Sequence, residues 1–111
     1  MTPEGKVKQQ IKEELKRRRC WYFMPVSNGM GRHGIPDLIA CYPTTITQDM
    51  VGQKFGIFVG IEAKAPGKLK NVTELQKRNI VEICEAGGIA FAADSVVDVE
   101  FMLPEPAYKD I

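Results

Sequence analysis

Three residues of this chain are of types and spacings that could do chemistry together: Asp37, Glu62 and Lys64. Glu62 and Lys64 close the most strand-like stretch, residues 55–65 (FGIFVGIEAKA). Alternation along a strand puts Ile57, Val59, Ile61 and Ala63 on one face, and Phe58, Gly60, Glu62 and Lys64 on the other. Both faces begin apolar, so both are expected to be covered. The two charged side chains then emerge together at the C-terminal end, behind the space that Gly60 leaves. Charges in a covered strand are costly unless they are paired or bound to a metal. The ordinary alternative is a strand that simply runs out into solvent. Asp37 follows Pro36 at the end of a glycine-rich loop, residues 27–34 (SNGMGRHG), and leads into an apolar run. If strands 35–42 and 55–65 are antiparallel neighbours, Asp37 lies close to Glu62 and Lys64. Two carboxylates beside one ammonium make a hard-oxygen metal site next to a charge-stabilising amine. As an isolated residue, Asp37 is equally a turn acid at a strand edge.

The elements that must position these groups are readable from local signals. Thr2-Pro3-Glu4 combines a hydroxyl N-cap, proline at the first helical position and an acid in the first turn. With Val7, Ile11 and Leu15 at helical spacing, it predicts a helix over residues 3–19. Residues 20–26 (CWYFMPV) and 35–42 (IPDLIACY) read as strands, with Pro36 tolerable only near a start or an edge. Residues 43–54 are polar and irregular, and 66–71 form a turn. A second helix is expected over 72–86, stopped by Gly87-Gly88, where glycine suits the left-handed cap. Residues 89–93 (IAFAA) make a short strand, and Ser95 is positioned to cap a closing helix over 95–103. The order α-β-β-β-α-β-α makes this an α/β chain with a mixed sheet and helices packed against it.

Each flanking helix carries one misfit. Gln76 falls in the middle of the apolar face of the second helix, where a polar side chain needs a partner. Thr73-x-x-Gln76 is also a capping box, which supplies such a partner locally. In the first helix Glu4 lies on the side of Val7, Ile11 and Leu15, whereas Glu13 and Glu14 point away. A glutamate in the first turn is favoured by the helix dipole in any case.

One hundred and eleven residues, 44% hydrophobic and 26% charged, suit a single globular domain spanning 1–111 and not a disordered or fibrous chain. No run approaches the roughly 18 apolar residues of a membrane helix. The N-terminus is too charged for an export signal, so no membrane association and a cytoplasmic setting are expected. Cys20, Cys41 and Cys84 lack metal spacing and read as buried small hydrophobes in a reducing compartment. The net charge of +1 hides a polarity. Residues 1–35 hold eight Lys/Arg against three Glu, a balance of +5, and residues 79–111 hold one Lys against seven carboxylates, a balance of −6. The basic end could steer an anionic partner. Lys16–Arg19 at a helix C-terminus is also what the helix dipole favours.

Pro36-Asp37 followed by Glu62-Ala63-Lys64 matches the PD-(D/E)xK nuclease signature, which by itself arises often by chance. Four blocks in order are more specific: Gly34-Ile35-Pro36-Asp37-Leu38-Ile39, Ile61-Glu62-Ala63-Lys64-Ala65-Pro66-Gly67, Thr73-Glu74-Leu75-Gln76 and Ala86-Gly87-Gly88. Together they resemble the VRR-NUC (virus-type replication-repair nuclease) domain in its stand-alone phage or bacterial type, from Glu4 through Leu103. The resemblance implies a restriction-endonuclease-like α-β-β-β-α-β core. It implies a catalytic centre of Asp37, Glu62 and Lys64, supported by Gln76 and by Glu4, with Glu14 the rival for the first-helix acid. It further implies Mg²⁺ or Mn²⁺ held by Asp37, Glu62, the Ala63 carbonyl and Glu4, and cleavage leaving 5′-phosphate and 3′-hydroxyl ends. Ser27, Asn28, Arg32 and His33 in one loop, and Lys68 and Lys70 in another, are then placed to meet DNA phosphates.

The expectation is a metal-dependent, structure-selective DNA endonuclease. It would act as a homodimer on branched DNA such as four-way junctions, in a bacterial or phage-infected cytoplasm. A chain this short is expected to read DNA shape more than base sequence. Two alternatives remain: a non-catalytic DNA-binding subunit with a nuclease-like fold, and a small metal-binding interaction protein that never meets nucleic acid.

Overall fold

The computed structural model describes residues 1–26, 34 and 36–103. Helix α1 (Pro3–Arg17) opens as the sequence requires, with the Gly5 amide donating to Thr2 Oγ1 at 2.9 Å. It leads into β1 (Trp21–Phe23), which pairs antiparallel with β2 (Ile39–Cys41) in the register Trp21↔Cys41. A 3₁₀ turn at Gln48–Met50 interrupts the connection to β3 (Val59–Ala63), and a second, Leu69–Asn71, precedes α2 (Glu74–Glu85). Strand β4 (Ile89–Ala93) returns parallel to β3, with Glu62 opposite Ala92, and α3 (Val96–Met102) follows. The chain is thus α/β, built of helices and two small sheets, one antiparallel and one parallel.

Two expectations about the sheet are corrected. Strands β2 and β3 do not pair; each has its ladder with a different strand, β1 and β4. Between β2 and the segment leading into β3 lies an apolar groove of about 360 Å³, lined among others by Ala40, Tyr42, Ile46, Met50, Phe55 and Phe58. Asp37 sits in a bend before β2 and not in the strand, since Pro36 offers no ladder donor. Nor are both faces of β3 covered. Its Phe58/Gly60/Glu62 face turns to α2, where a Cβ on Gly60 would come within 3.1 Å of Ile83 Cδ1. Ile57, Val59 and Ile61 on the opposite face are 58%, 37% and 45% exposed. Phe91, in register with Ile61 on β4, is buried, and α3 packs on β4.

The core is small: Cys41, Ile83, Ala86, Ala90, Phe91 and Ala93. Gly88 is its junction, since a Cβ there would lie 2.9 Å from Ile83 Cγ2, 3.0 Å from Phe58 O and 3.1 Å from Cys41 Sγ. Trp21 ties the two sheets together. Its ring packs at a 56° tilt against Phe58, centroids 5.3 Å apart, and its indole N–H donates to Asn79 Oδ1 of α2 at 3.2 Å. Of the three free cysteines only Cys41 is buried; Cys20 is half-buried and Cys84 exposed. Burial pushes the Cys20 and Cys41 thiols up, so neither is primed as a nucleophile.

Both long helices end in the same paired hydrogen bonds. In α2 the Gly87 and Gly88 amides donate to Cys84 O and Ile83 O, with Gly87 at φ +93°. In α1 the Arg19 and Cys20 amides donate to Lys16 O and Leu15 O, and the left-handed position is held by Arg19 at φ +60°. Glycine relieves the Cβ clash of that conformation. Arg19→Gly is therefore expected to stabilise the fold by about 0.5–1 kcal/mol, read as a higher midpoint in urea.

Candidate active site

Strand β3 delivers Glu62 and Lys64 to one face. Lys64 Nζ lies 3.9 Å from Glu62 Oε2, the side chains being 18% and 34% exposed. The strand end is pinned by the Lys64 amide, which donates to Ala93 O at 2.8 Å. Asp94, directly after β4, takes the next step outward: its Oδ2 accepts from the Gly67 amide at 2.9 Å, and its own amide donates to Asp98 Oδ2 at 3.0 Å. Asp94 thereby fixes the turn that separates Lys64 from Lys68 and Lys70. Sequence reasoning missed it, although an acid just after a short apolar strand was a signal of the same kind as Asp37.

Asp37 meets the first helix. Lys8 Nζ lies 3.8 Å from Asp37 Oδ2 and 4.0 Å from Glu4 Oε1, so two carboxylates share one ammonium. Helix geometry places Glu4 and Lys8 one turn apart on a single face. Lys8 was not anticipated. Glu14, the rival of Glu4, is committed elsewhere, gripped by the guanidiniums of Arg17 and Arg18. Those hydrogen bonds hold its carboxyl down at about 2, well below the usual carboxylate range. Arg18 in turn donates to the Tyr42 hydroxyl at 3.2 Å. Of the two candidates for the first-helix acid, Glu4 is the one that shares a cation with Asp37.

Gln76 closes the capping box: its Oε1 accepts from the Thr73 amide at 2.9 Å, and its amide donates to Thr73 Oγ1 at 3.1 Å. The Gln76 side chain is half-buried. Lys68 and Lys70 are exposed, and neither forms an ion pair with a described residue. Ser27, Asn28, Arg32 and His33 lie outside the described residues. No described helix is long and apolar enough to cross a membrane.

The structure thus arranges the candidate residues as two groups, Glu4–Lys8–Asp37 and Glu62–Lys64. Among the described residues, no group of three or more His, Cys, Asp and Glu side chains could hold a metal ion. Glu4 and Asp37 are two carboxylates within 4 Å of one ammonium, and both are largely exposed. Lys64 and Glu62 supply an ammonium held close to a carboxylate, able to stabilise charge on an anionic substrate. No family model, curated protein or solved structure matches this chain at a significant level.

Proposed function

We propose that this chain is a metal-dependent, structure-selective DNA endonuclease that hydrolyses phosphodiester bonds in branched DNA such as four-way junctions. The observation that supports this reading most is the convergence of Glu4 and Asp37, from α1 and from the bend before β2, on a single cation. The Glu62–Lys64 pair at the end of β3 adds the second half of the sequence signature.

In this reading Asp37, Glu62, the Ala63 carbonyl and Glu4 would be the oxygen donors for Mg²⁺ or Mn²⁺, which requires the Glu4/Asp37 group and the end of β3 to be brought to the same ion. Such an ion, when bound, supplies Lewis-acid polarisation of the scissile phosphate. Lys64 places an ammonium where negative charge develops in the transition state. Gln76 supports it from the start of α2, while its oxygen holds the helix cap. Lys68 and Lys70 neutralise backbone phosphates and set position, not sequence. The products carry 5′-phosphate and 3′-hydroxyl ends. A homodimer presents two such sites to a branched substrate, and the uncovered apolar face of β3 gives a second copy something to cover.

A second reading, a non-catalytic DNA-binding subunit, is favoured by the separation of the carboxylates into two groups. A cleavage panel decides between them: single-stranded, duplex, flap, fork and four-way-junction DNA, each with EDTA, Mg²⁺ and Mn²⁺. Metal-dependent cutting of branched DNA, by a species near twice 12.4 kDa in light scattering, is the expected result. Salt-dependent binding with no cutting in either metal would establish the second reading.

A further inference from the structure

We propose that Asp94 is a positioning residue for DNA binding: its carboxylate holds the turn after β3, so that Lys68 and Lys70 meet backbone phosphates from a fixed place relative to Lys64. The proposal deepens the nuclease reading above and rests on its DNA-binding half. Strand pairing between β3 and β4 ends where the Lys64 amide donates to Ala93 O at 2.8 Å. One residue further on the Asp94 side chain takes over, its Oδ2 accepting from the Gly67 amide at 2.9 Å. Among the described residues, this is the one hydrogen bond that joins residues 65–71 to another element.

The segment that Asp94 holds is hydrogen-bonded within itself. The Lys68 amide donates back to Ala65 O at 2.9 Å, with Pro66 and Gly67 at the centre of the turn and Gly67 at φ +78°. Proline followed by glycine at those two positions is what a type II turn favours. The Asn71 and Val72 amides donate to Lys68 O and Leu69 O, so Lys70 rides on the 3₁₀ turn that follows. These bonds fix the shape of the segment but not its direction, since residues 65–71 are all exposed. Direction comes from Asp94. Its own amide donates to Asp98 Oδ2 in the first turn of α3 at 3.0 Å, so the carboxylate projects from backbone that β4 and α3 both hold. A negative charge beside two phosphate-binding lysines opposes DNA, so the contribution of Asp94 is that of an acceptor. A cationic turn ordered in advance has less freedom to lose when DNA binds.

The test uses the full chain and measures binding to a four-way-junction DNA in EDTA, so that affinity is read without cutting. Asp94→Ala and Asp94→Asn both remove the negative charge, but only Asn keeps an oxygen that can accept from the Gly67 amide. Asp94→Ala is expected to bind about fivefold more weakly than Asp94→Asn, the factor that one net hydrogen bond is worth. In a Lys68→Ala/Lys70→Ala background that difference is expected to vanish, because the turn then has no cation to place. Gly67→Ala gives a second route to the same loosening. Its Cβ meets nothing within 4 Å but is strained at φ +78°, and it is expected to weaken binding with the same dependence on the two lysines. In the free protein, exchange of the Gly67 amide is expected to be faster in Asp94→Ala than in Asp94→Asn, with urea melts confirming that both are folded. Equal affinities for the Ala and Asn variants, or a difference that persists without the two lysines, overturns the proposal. Whether wild type also cuts the junction in Mg²⁺ decides the nuclease reading separately, and a wild type that binds no junction DNA overturns both.

Discussion

Asp37→Asn and Glu62→Gln are each expected to abolish cleavage while leaving the fold nearly unchanged. Both substitutions keep the shape of the side chain and remove the charge that would hold a divalent cation. Neither residue carries much of the fold. Asp37 is largely exposed and, among the described residues, its ion-pair partner is Lys8 at 3.8 Å; Glu62 is about one-third exposed and meets Lys64 at 3.9 Å. Pairs of that length and exposure contribute about 0–1 kcal/mol. Loss of metal-assisted charge stabilisation is worth several kcal/mol of barrier, so the expected drop in rate is roughly 10³-fold or more. Single-turnover cleavage in Mg²⁺, alongside a urea melt, measures both quantities. A variant that cuts at near the wild-type rate would remove that carboxylate from the metal site.

Lys64→Ala should separate chemistry from binding. Lys64 is the least exposed cation of the two groups and lies 3.9 Å from Glu62. Its removal is expected to slow the bound complex by roughly 10²-fold or more, with DNA affinity nearly unchanged. Lys68 and Lys70 sit beyond the Asp94-braced turn and are exposed. Replacing both with alanine is expected to weaken binding to every DNA substrate. It should also flatten the slope of log K against log salt, by up to about 0.9 for each duplex phosphate that is no longer neutralised. Rates and salt-dependent affinities for both variants give a two-by-two outcome. If Lys64→Ala only weakens binding, Lys64 is a phosphate anchor and has no part in the chemical step.

What the sequence by itself determined is local. The Thr2 cap, the Thr73–Gln76 capping box and the stop at Gly87 all depend on groups within about four residues of one another. Their hydrogen bonds form whenever the chain takes those dihedral angles, so residue type and spacing suffice to place them. The alternation that puts Glu62 and Lys64 on one face of β3 belongs to the same class. The helix period left Glu4 and Glu14 as rivals for the first-helix acid, and the partners that distinguish the two came from the structure.

Which partner each element meets was decided only by tertiary structure. Alternation says that β3 has two faces; whether something covers the Ile57/Val59/Ile61 face depends on where the other elements pack, and here that face stays 37–58% exposed while α3 packs on β4. Two apolar strands separated by a loop read equally well as neighbours or as members of different sheets. Here the ladders run β1–β2 and β3–β4, with a groove between them, so Asp37 meets α1 and its ion-pair partner is Lys8. Lys8, Asn79 and Asp94 escaped sequence reasoning for one physical reason. Each acts through a side chain that reaches another element, and such a contact is selected by packing in three dimensions, which spacing along the chain does not encode.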